Sequence, residues 1–141
     1  MARVIYLPYG ECFGRAAPLP IIKKEKIMKQ AEAAEQEVII RYCDLRGIPV
    51  YHIPNGGSRN RIEAANLKRQ GVRAGVPDLC FPVPKGKYHG MYIEMKAGKN
   101  KTTQNQDEWL ELLKNNGYMT AVCYGFDEAK AVIDRYFDIK R

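Results

Sequence analysis

Two acidic residues and one lysine have the types and the spacing needed for hydrolytic chemistry. Residues 91–96 read Met-Tyr-Ile-Glu-Met-Lys, a pattern typical of a β-strand. Alternate residues of a strand face opposite sides, so Glu94 and Lys96 share one face, while Met91, Ile93 and Met95 form an apolar face. An isolated Glu-x-Lys pair is also typical of a solvated salt bridge on an exposed sheet. The strand by itself leaves both interpretations open.

Asp78 favours the chemical interpretation. It begins the preceding predicted strand, so a hairpin between the two strands would place it near Glu94. An aspartate that closes a turn is the structural alternative. Two converging carboxylates repel each other unless a cation joins them, and hard oxygen ligands favour Mg²⁺ or Mn²⁺ over Zn²⁺. The set therefore indicates phosphoryl chemistry, in which metal ions activate water and neutralise charge on the phosphate.

Length and charge restrict the class of protein. The 141 residues are about the size of one domain, and they carry 23 basic and 16 acidic residues, a net charge of +7. The excess is concentrated in residues 59–73 and 85–101, as is typical of nucleic-acid-binding proteins. No stretch approaches the roughly 20 apolar residues of a membrane helix, so we expect no membrane partner. The N-terminus is too short for a signal peptide, so we expect a cytoplasmic location, in the host cell if a phage encodes the chain.

The elements that must position these residues follow an α/β pattern. Prolines and glycines break residues 1–24, which predicts an irregular arm followed by a single domain over residues 25–141. The spacing predicts a first helix over residues 25–46, ended by Gly47. Its apolar stripe comprises Ile27, Ala31, Ala34, Val38, Tyr42 and Leu45.

Three strands, a helix, a strand and a helix complete the predicted order. The strands span residues 48–53, 77–83 and 91–96, with a short helix possible over 61–70. The second main helix spans 103–116, begins with a capping box of Thr103 and Gln106, and presents an apolar face of Trp109, Leu110, Leu112 and Leu113. A strand over 118–124 and a helix over 127–137 with Asp127 as its N-cap follow.

Cysteine and histidine do not form a recognisable metal-binding pattern. The four cysteines are widely spaced, with no C-x-x-C pair and no histidine near any of them in sequence. We expect reduced thiols at Cys12, Cys43, Cys80 and Cys123. His52 and His89 are interpreted as a strand residue and a turn residue.

The arrangement of Asp78 and Glu94-Met95-Lys96, after a helix and beside basic segments, resembles the core of PD-(D/E)XK nucleases. Longer strings resemble the VRR-NUC family, the virus-type replication-repair nucleases. They are Asn55-Gly56-Gly57, residues 71–79, residues 93–98, and Gln106 before Trp109. The resemblance covers residues 31–137. It departs at Thr102, where relatives often have an aliphatic residue. It implies a restriction-endonuclease-like fold, with helices flanking a mixed central sheet.

The resemblance also implies residue roles. Asp78 and Glu94 would be metal ligands, with the main-chain carbonyl of Met95 as a third. Lys96 would position or activate the attacking water and offset charge on the phosphate. This agrees with its place on the same strand face as Glu94.

Two further site residues follow from the same resemblance. Family members place a glutamate in the first helix four residues before a glutamine, a spacing that Glu32 and Gln36 match. Glu35, nearer the middle of the apolar stripe, competes with Glu32 for this role. Family members also keep a glutamine near the site at the position of Gln106, although the capping box alone explains that residue.

The basic residues before Asp78 and after Lys96 would contact phosphates, although such residues are often only a solvated helix face. Phosphate contacts position a substrate without reading its sequence, which indicates recognition of DNA shape. The predicted nucleic-acid-binding residues are Asn55, Arg59, Arg61, Lys68, Arg69, Arg73 and Lys99.

These features favour a Mg²⁺- or Mn²⁺-dependent DNA endonuclease. The resemblance implies branched substrates and Holliday-junction resolution. The alternative is a non-catalytic DNA-binding module on a nuclease-like fold, against which the intact Asp78, Glu94 and Lys96 argue. Two symmetric nicks in a junction require two sites, which predicts a homodimer, with the apolar segment Val4 to Leu7 as a candidate interface.

Overall fold

A four-stranded sheet lies at the centre of the part of the chain that the computed structural model describes, residues 21–55 and 60–140. In chain order, the elements of this part are α1 (Ile21–Arg46), β1 (Tyr51–His52), α2 (Arg61–Arg69), β2 (Leu79–Phe81), β3 (Met91–Lys96), α3 (Gln104–Asn115), β4 (Met119–Tyr124) and α4 (Gly125–Phe137).

The sheet is mixed, and its strands follow the order β1-β2-β3-β4. The first three strands are antiparallel neighbours, with Leu79 opposite Ile93. β4 lies parallel to β3, because α3 carries the chain back along the sheet between them. The predicted fold class, an α/β core with a mixed sheet flanked by helices, is confirmed.

The hydrophobic core joins one sheet face to α1 and α4. Leu79, Phe81, Met91, Ile93 and Met95 alternate along β2 and β3 and point into it, as the period of a strand requires. The helices contribute buried residues that include Ile39, Cys43, Ile133 and Tyr136. The core therefore holds β3 firmly, and with it Glu94 and Lys96 on the opposite face.

The prediction that the apolar stripe of α1 forms the buried face of the helix is wrong. Ile27, Val38 and Leu45 are 45%, 47% and 89% exposed, and Ala31 and Ala34 are also exposed. Of the stripe, only Tyr42 is half-buried. The helix instead buries Ile39 and Cys43 and half-buries Glu32, Glu35 and Gln36. The inward face is partly polar because its carboxylates bind main-chain N–H groups, so apolar periodicity does not reveal it.

Most predicted element ends hold. Thr103 forms the capping box with Gln106, and Gly47 ends α1 with φ +63°. α1 begins at Ile21 rather than residue 25. The strands β1 and β2 are shorter than predicted, because prolines 49, 54, 77 and 82, which lack an N–H donor, flank them. Leu112, predicted on the apolar face of α3, is 50% exposed.

The predicted N-cap of α4 is also wrong. The helix begins at Gly125, so Asp127 lies inside its first turn. Two carboxylates bind the main chain at this end, one from α1 and one from the first turn of α4 itself. Glu35 accepts the Phe126 N–H at 2.8 Å, and Glu128 accepts the Tyr124 N–H at 2.8 Å. These contacts supply the acceptors that an N-cap side chain would provide.

Cys43, Cys80 and Cys123 are buried free thiols, as predicted. Cys12 and the predicted interface segment from Val4 to Leu7 lie outside the described residues. Over residues 21–55 and 60–140, no helix is both long enough and apolar enough to cross a membrane.

Candidate active site

A cleft of about 570 Å³ opens beside the carboxyl end of β3. Eight of the predicted site residues line it: Glu32, Gln36, Asn55, Asp78, Glu94, Met95, Lys96 and Gln106. They come from α1, β3, α3 and the segments around β1 and β2, so the fold gathers residues that are far apart in sequence.

Asp78 is fixed immediately before β2. Its Oδ2 accepts the Met95 N–H at 2.8 Å, and its main-chain oxygen accepts the Ile53 N–H at 2.7 Å. Burial raises the pKa of the Asp78 carboxyl, although the Met95 N–H and the nearby Lys96 act in the opposite direction. The side chain thus faces β3 and does not merely close a turn.

Glu94 is a buried carboxylate, and one of its two oxygens has no hydrogen-bond partner among the described residues. Its Oε1 accepts a hydrogen bond from Lys96 Nζ at 2.9 Å and another from the Gln106 amide. Its Oε2 is buried and has no hydrogen-bond partner in the described part of the protein. Burial first, and repulsion from Asp78 second, raise the pKa of Glu94 to about 7.

The pair of Glu94 and Lys96 is not a solvated surface salt bridge. Their side chains are 3% and 9% exposed. Lys96 Nζ also donates to Gln106 Oε1 at 3.0 Å, so the ammonium is held between two acceptors. A buried and fixed charge is costly unless partners satisfy it, and such groups concentrate at functional sites.

The structure separates the two competing glutamates of α1. Glu32 lines the cleft, and its Oε1 accepts the Ala97 N–H at 3.1 Å and the Asn100 amide at 3.4 Å. Glu35 instead binds the first turn of α4. Gln36 lines the cleft one turn after Glu32. Only Glu32 therefore lies where it can act together with Asp78 and Glu94.

The donor set fits a hard divalent cation. In residues 21–55 and 60–140, no group of three Asp, Glu, His or Cys side chains is close enough to enclose a metal unaided. Mg²⁺, however, is usually bound through one or two carboxylates and keeps several waters. Asp78 and Glu94 supply two carboxylates, and the open Glu94 Oε2 is the polar atom that a cation would satisfy.

Of the predicted phosphate-binding residues, Asn55 alone lines the cleft in the described part of the chain. Asn55 donates to the Val76 carbonyl at 2.6 Å. Arg73 donates to the Lys68 carbonyl at 3.0 Å, which ties the segment before β2 to α2. The other described members of this predicted set are exposed and lie outside the cleft: Arg61, Lys68, Arg69, Arg73 and Lys99. Arg59 lies outside the described residues.

Two cleft residues with polar or charged side chains were not predicted to have a role there. A nitrogen of His52, Nδ1, lies 3.0 Å from the Asp78 carbonyl oxygen. The strand register places His52 opposite Leu79, next to Asp78, so correct pairing of β1 with β2 would have revealed it. Lys29 lies three residues before Glu32 on α1, a spacing that puts both on neighbouring turns of one face.

The fold and the cleft together define an α/β nuclease-like domain. A sequence model of the VRR-NUC domain matches residues 30–127, and the chain belongs to this family. A solved VRR-NUC domain protein is 33% identical, with a TM-score of 0.68, and the match covers 78% of this chain and 90% of that protein. A search of the curated proteins finds no match.

Proposed function

We propose that the chain is a metal-dependent DNA endonuclease that hydrolyses phosphodiester bonds in branched DNA, including four-way Holliday junctions. The observation that carries the proposal is the convergence of Asp78, Glu94 and Lys96 in one cleft, with Glu94 Oε2 left open. A nuclease-like domain with a net charge of +7 is suited to a polyanionic substrate.

Asp78, Glu94 and the Met95 carbonyl would hold Mg²⁺ or Mn²⁺, with Glu32 as a further carboxylate. Once bound, the cation would lower the pKa of a water molecule and neutralise charge on the phosphate. The main-chain N–H groups of Met95 and Ala97 orient the carboxylates of Asp78 and Glu32 towards the site.

Lys96 would orient the attacking water and offset the negative charge that builds on the phosphate. Its ammonium is suited to this role because Glu94 and Gln106 fix its position at the cleft wall. Because Nζ has three donor hydrogens and two of them bind Glu94 and Gln106, one remains to bind the substrate. Asn55 and the basic side chains of α2 would position the DNA backbone.

The test is cleavage of labelled duplex, flap, splayed-arm and four-way-junction DNA with Mg²⁺, with Mn²⁺ and with EDTA. We expect metal-dependent cleavage of the branched substrates and none in EDTA. The Asp78→Asn variant is the matched control for a contaminating nuclease. Binding of these DNAs without cleavage of any would overturn the proposal and favour the non-catalytic DNA-binding module.

We further propose a homodimer, which would supply the two sites that paired nicks require. The support is the exposed apolar face of α1. Ile27, Val38 and Leu45 lie on one side of the helix and span about 27 Å, because each helical residue rises about 1.5 Å. Such a face is typical of an interface. Sedimentation should show a dimer, and Val38→Glu with Leu45→Glu should give a monomer; a monomeric wild-type protein would contradict this.

A further inference from the structure

A second groove of about 490 Å³ adjoins the active-site cleft and shares Glu32 and Lys96 with it. It lies between the N-terminal turns of α1 and the loop that follows β3. Its walls include Lys24, Met28 and Lys29 from the helix and Asn100 and Lys101 from the loop. Of the residues predicted to bind phosphates, Lys99 lies on this loop, and the others lie on α2 or in the segments on either side of it.

The two walls of this groove are fastened to each other. Met28 packs against Gly98, since a Cβ atom at Gly98 would lie 2.6 Å from Met28 Cε. Glu32 binds the Ala97 N–H and the Asn100 amide across the gap. The Tyr124 hydroxyl donates to the Asn100 carbonyl at 2.9 Å and ties the loop to the sheet. The groove is therefore a defined feature of the fold.

The groove carries an excess of positive charge, since four lysines and two glutamates line it. Lys24, Lys29 and Lys101 line it, and within the described residues none of their amines lies within 4.0 Å of a carboxylate oxygen. Glu25 and Glu32 are its acidic residues, and Glu32 is bound to the loop. A concave surface lined with free ammonium groups attracts phosphates.

The groove, the cleft and the surface beside α2 form one continuous path. The cleft shares Lys29, Glu32 and Lys96 with the groove. On its other side, the cleft shares Asn55 and Ala74 with a pocket beside α2. The reactive carboxylates thus lie between two basic surfaces. Residues 21–29, which supply one wall of the groove, precede the matched VRR-NUC domain.

We infer that this groove binds the phosphate backbone of one DNA arm, while the surface beside α2 binds the other, so that the branch point lies at the cleft. The inference rests on the proposed function and names the residues that hold the second arm: Lys24, Lys29 and Lys101. A linear duplex that contacts only one of the two surfaces would use fewer of these lysines.

The first experiment measures the salt dependence of binding to a four-way junction in EDTA, where no cleavage is expected. Lys24→Ala/Lys29→Ala/Lys101→Ala is compared with Lys23→Ala/Lys26→Ala/Lys114→Ala, which removes the same charge from exposed positions outside the groove. Each lost phosphate contact lowers the slope by about 0.9. The groove variant should therefore lose about 2 to 3 units of slope, and the control should keep the wild-type slope.

The outcomes separate the two proposals. Equal slopes for the two triple variants, with tight binding by the wild type, would overturn the groove and leave the endonuclease proposal intact. No DNA binding by the wild type would overturn the endonuclease proposal itself. Arginine at the three groove positions keeps the charge and should keep the slope.

A second experiment uses the wild-type protein alone and so does not depend on the folding of a variant. Lysine acetylation is measured by mass spectrometry with and without the junction. Bound DNA should protect Lys24, Lys29 and Lys101, while Lys23, Lys26 and Lys114 stay reactive. Equal protection of both sets, or protection of neither, would contradict the groove as a DNA-binding site.

Discussion

The amide oxygen of Gln106 accepts a hydrogen bond from Lys96 Nζ at 3.0 Å and another from the Thr103 N–H at 2.9 Å. One atom thus closes the capping box of α3 and holds the lysine of the candidate site. The amide nitrogen of Gln106 also donates to Glu94 Oε1. The capping and the functional interpretations of Gln106 are therefore compatible, and the start of α3 is tied to β3 through the same side chain.

Gln106→Ala should lower kcat by roughly 10- to 100-fold with little change in KM, because it releases Lys96 without removing a DNA contact. It should also destabilise the protein by about 1 kcal/mol through loss of the cap. Thr103→Ala is the matched control, since it weakens the same capping box but leaves Lys96 bound to Gln106. Thermal unfolding should show similar losses for both variants. Equal losses of kcat would mean that Gln106 acts only through the helix.

Asp78→Asn and Glu94→Gln should each abolish cleavage while DNA binding stays the same or becomes tighter. Removal of a carboxylate removes repulsion of the phosphate together with a metal ligand. Lys96→Ala should lower kcat by about 10²- to 10³-fold with little loss of affinity, since it removes a group that acts mainly in the transition state. Single-turnover cleavage and binding in EDTA measure the two effects. Turnover near the wild-type rate in any of the three would refute the site.

Glu32→Gln and Glu35→Gln should damage different properties. Glu32 lines the cleft, so its variant should need a higher Mg²⁺ concentration for half-maximal cleavage. Glu35 binds the first turn of α4, so its variant should lose about 1 kcal/mol of stability and keep the wild-type Mg²⁺ dependence. A titration of cleavage against Mg²⁺ and a thermal melt distinguish them. The reverse pattern would transfer the metal-binding role to Glu35.

The predictability of the fold differs between elements for physical reasons. The residues of β3 and the caps of α3 were predicted correctly, because strand period and capping chemistry are local. The buried face of α1 was not, because it carries Glu32 and Glu35, whose acceptors are satisfied by the N–H groups of Ala97 and Phe126, 65 and 91 residues away. No sequence period encodes such contacts.

The candidate site shows the same limit. Asp78, Glu94 and Lys96 were recognisable because they lie on or beside two strands that pair directly. The positions of His52 and Lys29 required the register of β1 and the docking of α1. Of the groove lysines, Lys24 and Lys29 belong to a lysine-rich helix start that, as a sequence, is indistinguishable from a solvated end, and Lys101 belongs to the loop after β3.

The raised pKa of Glu94 makes the stability of the metal-free protein depend on pH. Burial is the largest cause of the raised pKa, Asp78 and Glu32 repel the charge of the carboxylate, and Lys96 favours it. Between the unfolded value of 4.5 and the folded value of about 7, the folded state holds a proton that the unfolded state has released. The free energy of unfolding should therefore fall as the pH rises through this window and level off above it.

Asp78→Asn should reduce the fall in the free energy of unfolding that accompanies a rise in pH. Without the charge of Asp78, Glu94 ionises at a lower pH, and the asparagine oxygen can still accept the Met95 N–H. In EDTA at pH 8 the variant should melt at a higher temperature than the wild type, and the difference should shrink towards pH 5. Asp127→Asn, at an exposed position outside the cleft, should show no such pH-dependent gain.

Mg²⁺ should raise the melting temperature of the wild type more than that of Asp78→Asn, because a ligand that binds only the folded state stabilises that state. Parallel pH profiles for the wild type and Asp78→Asn would show that the two carboxylates do not repel each other in the folded protein.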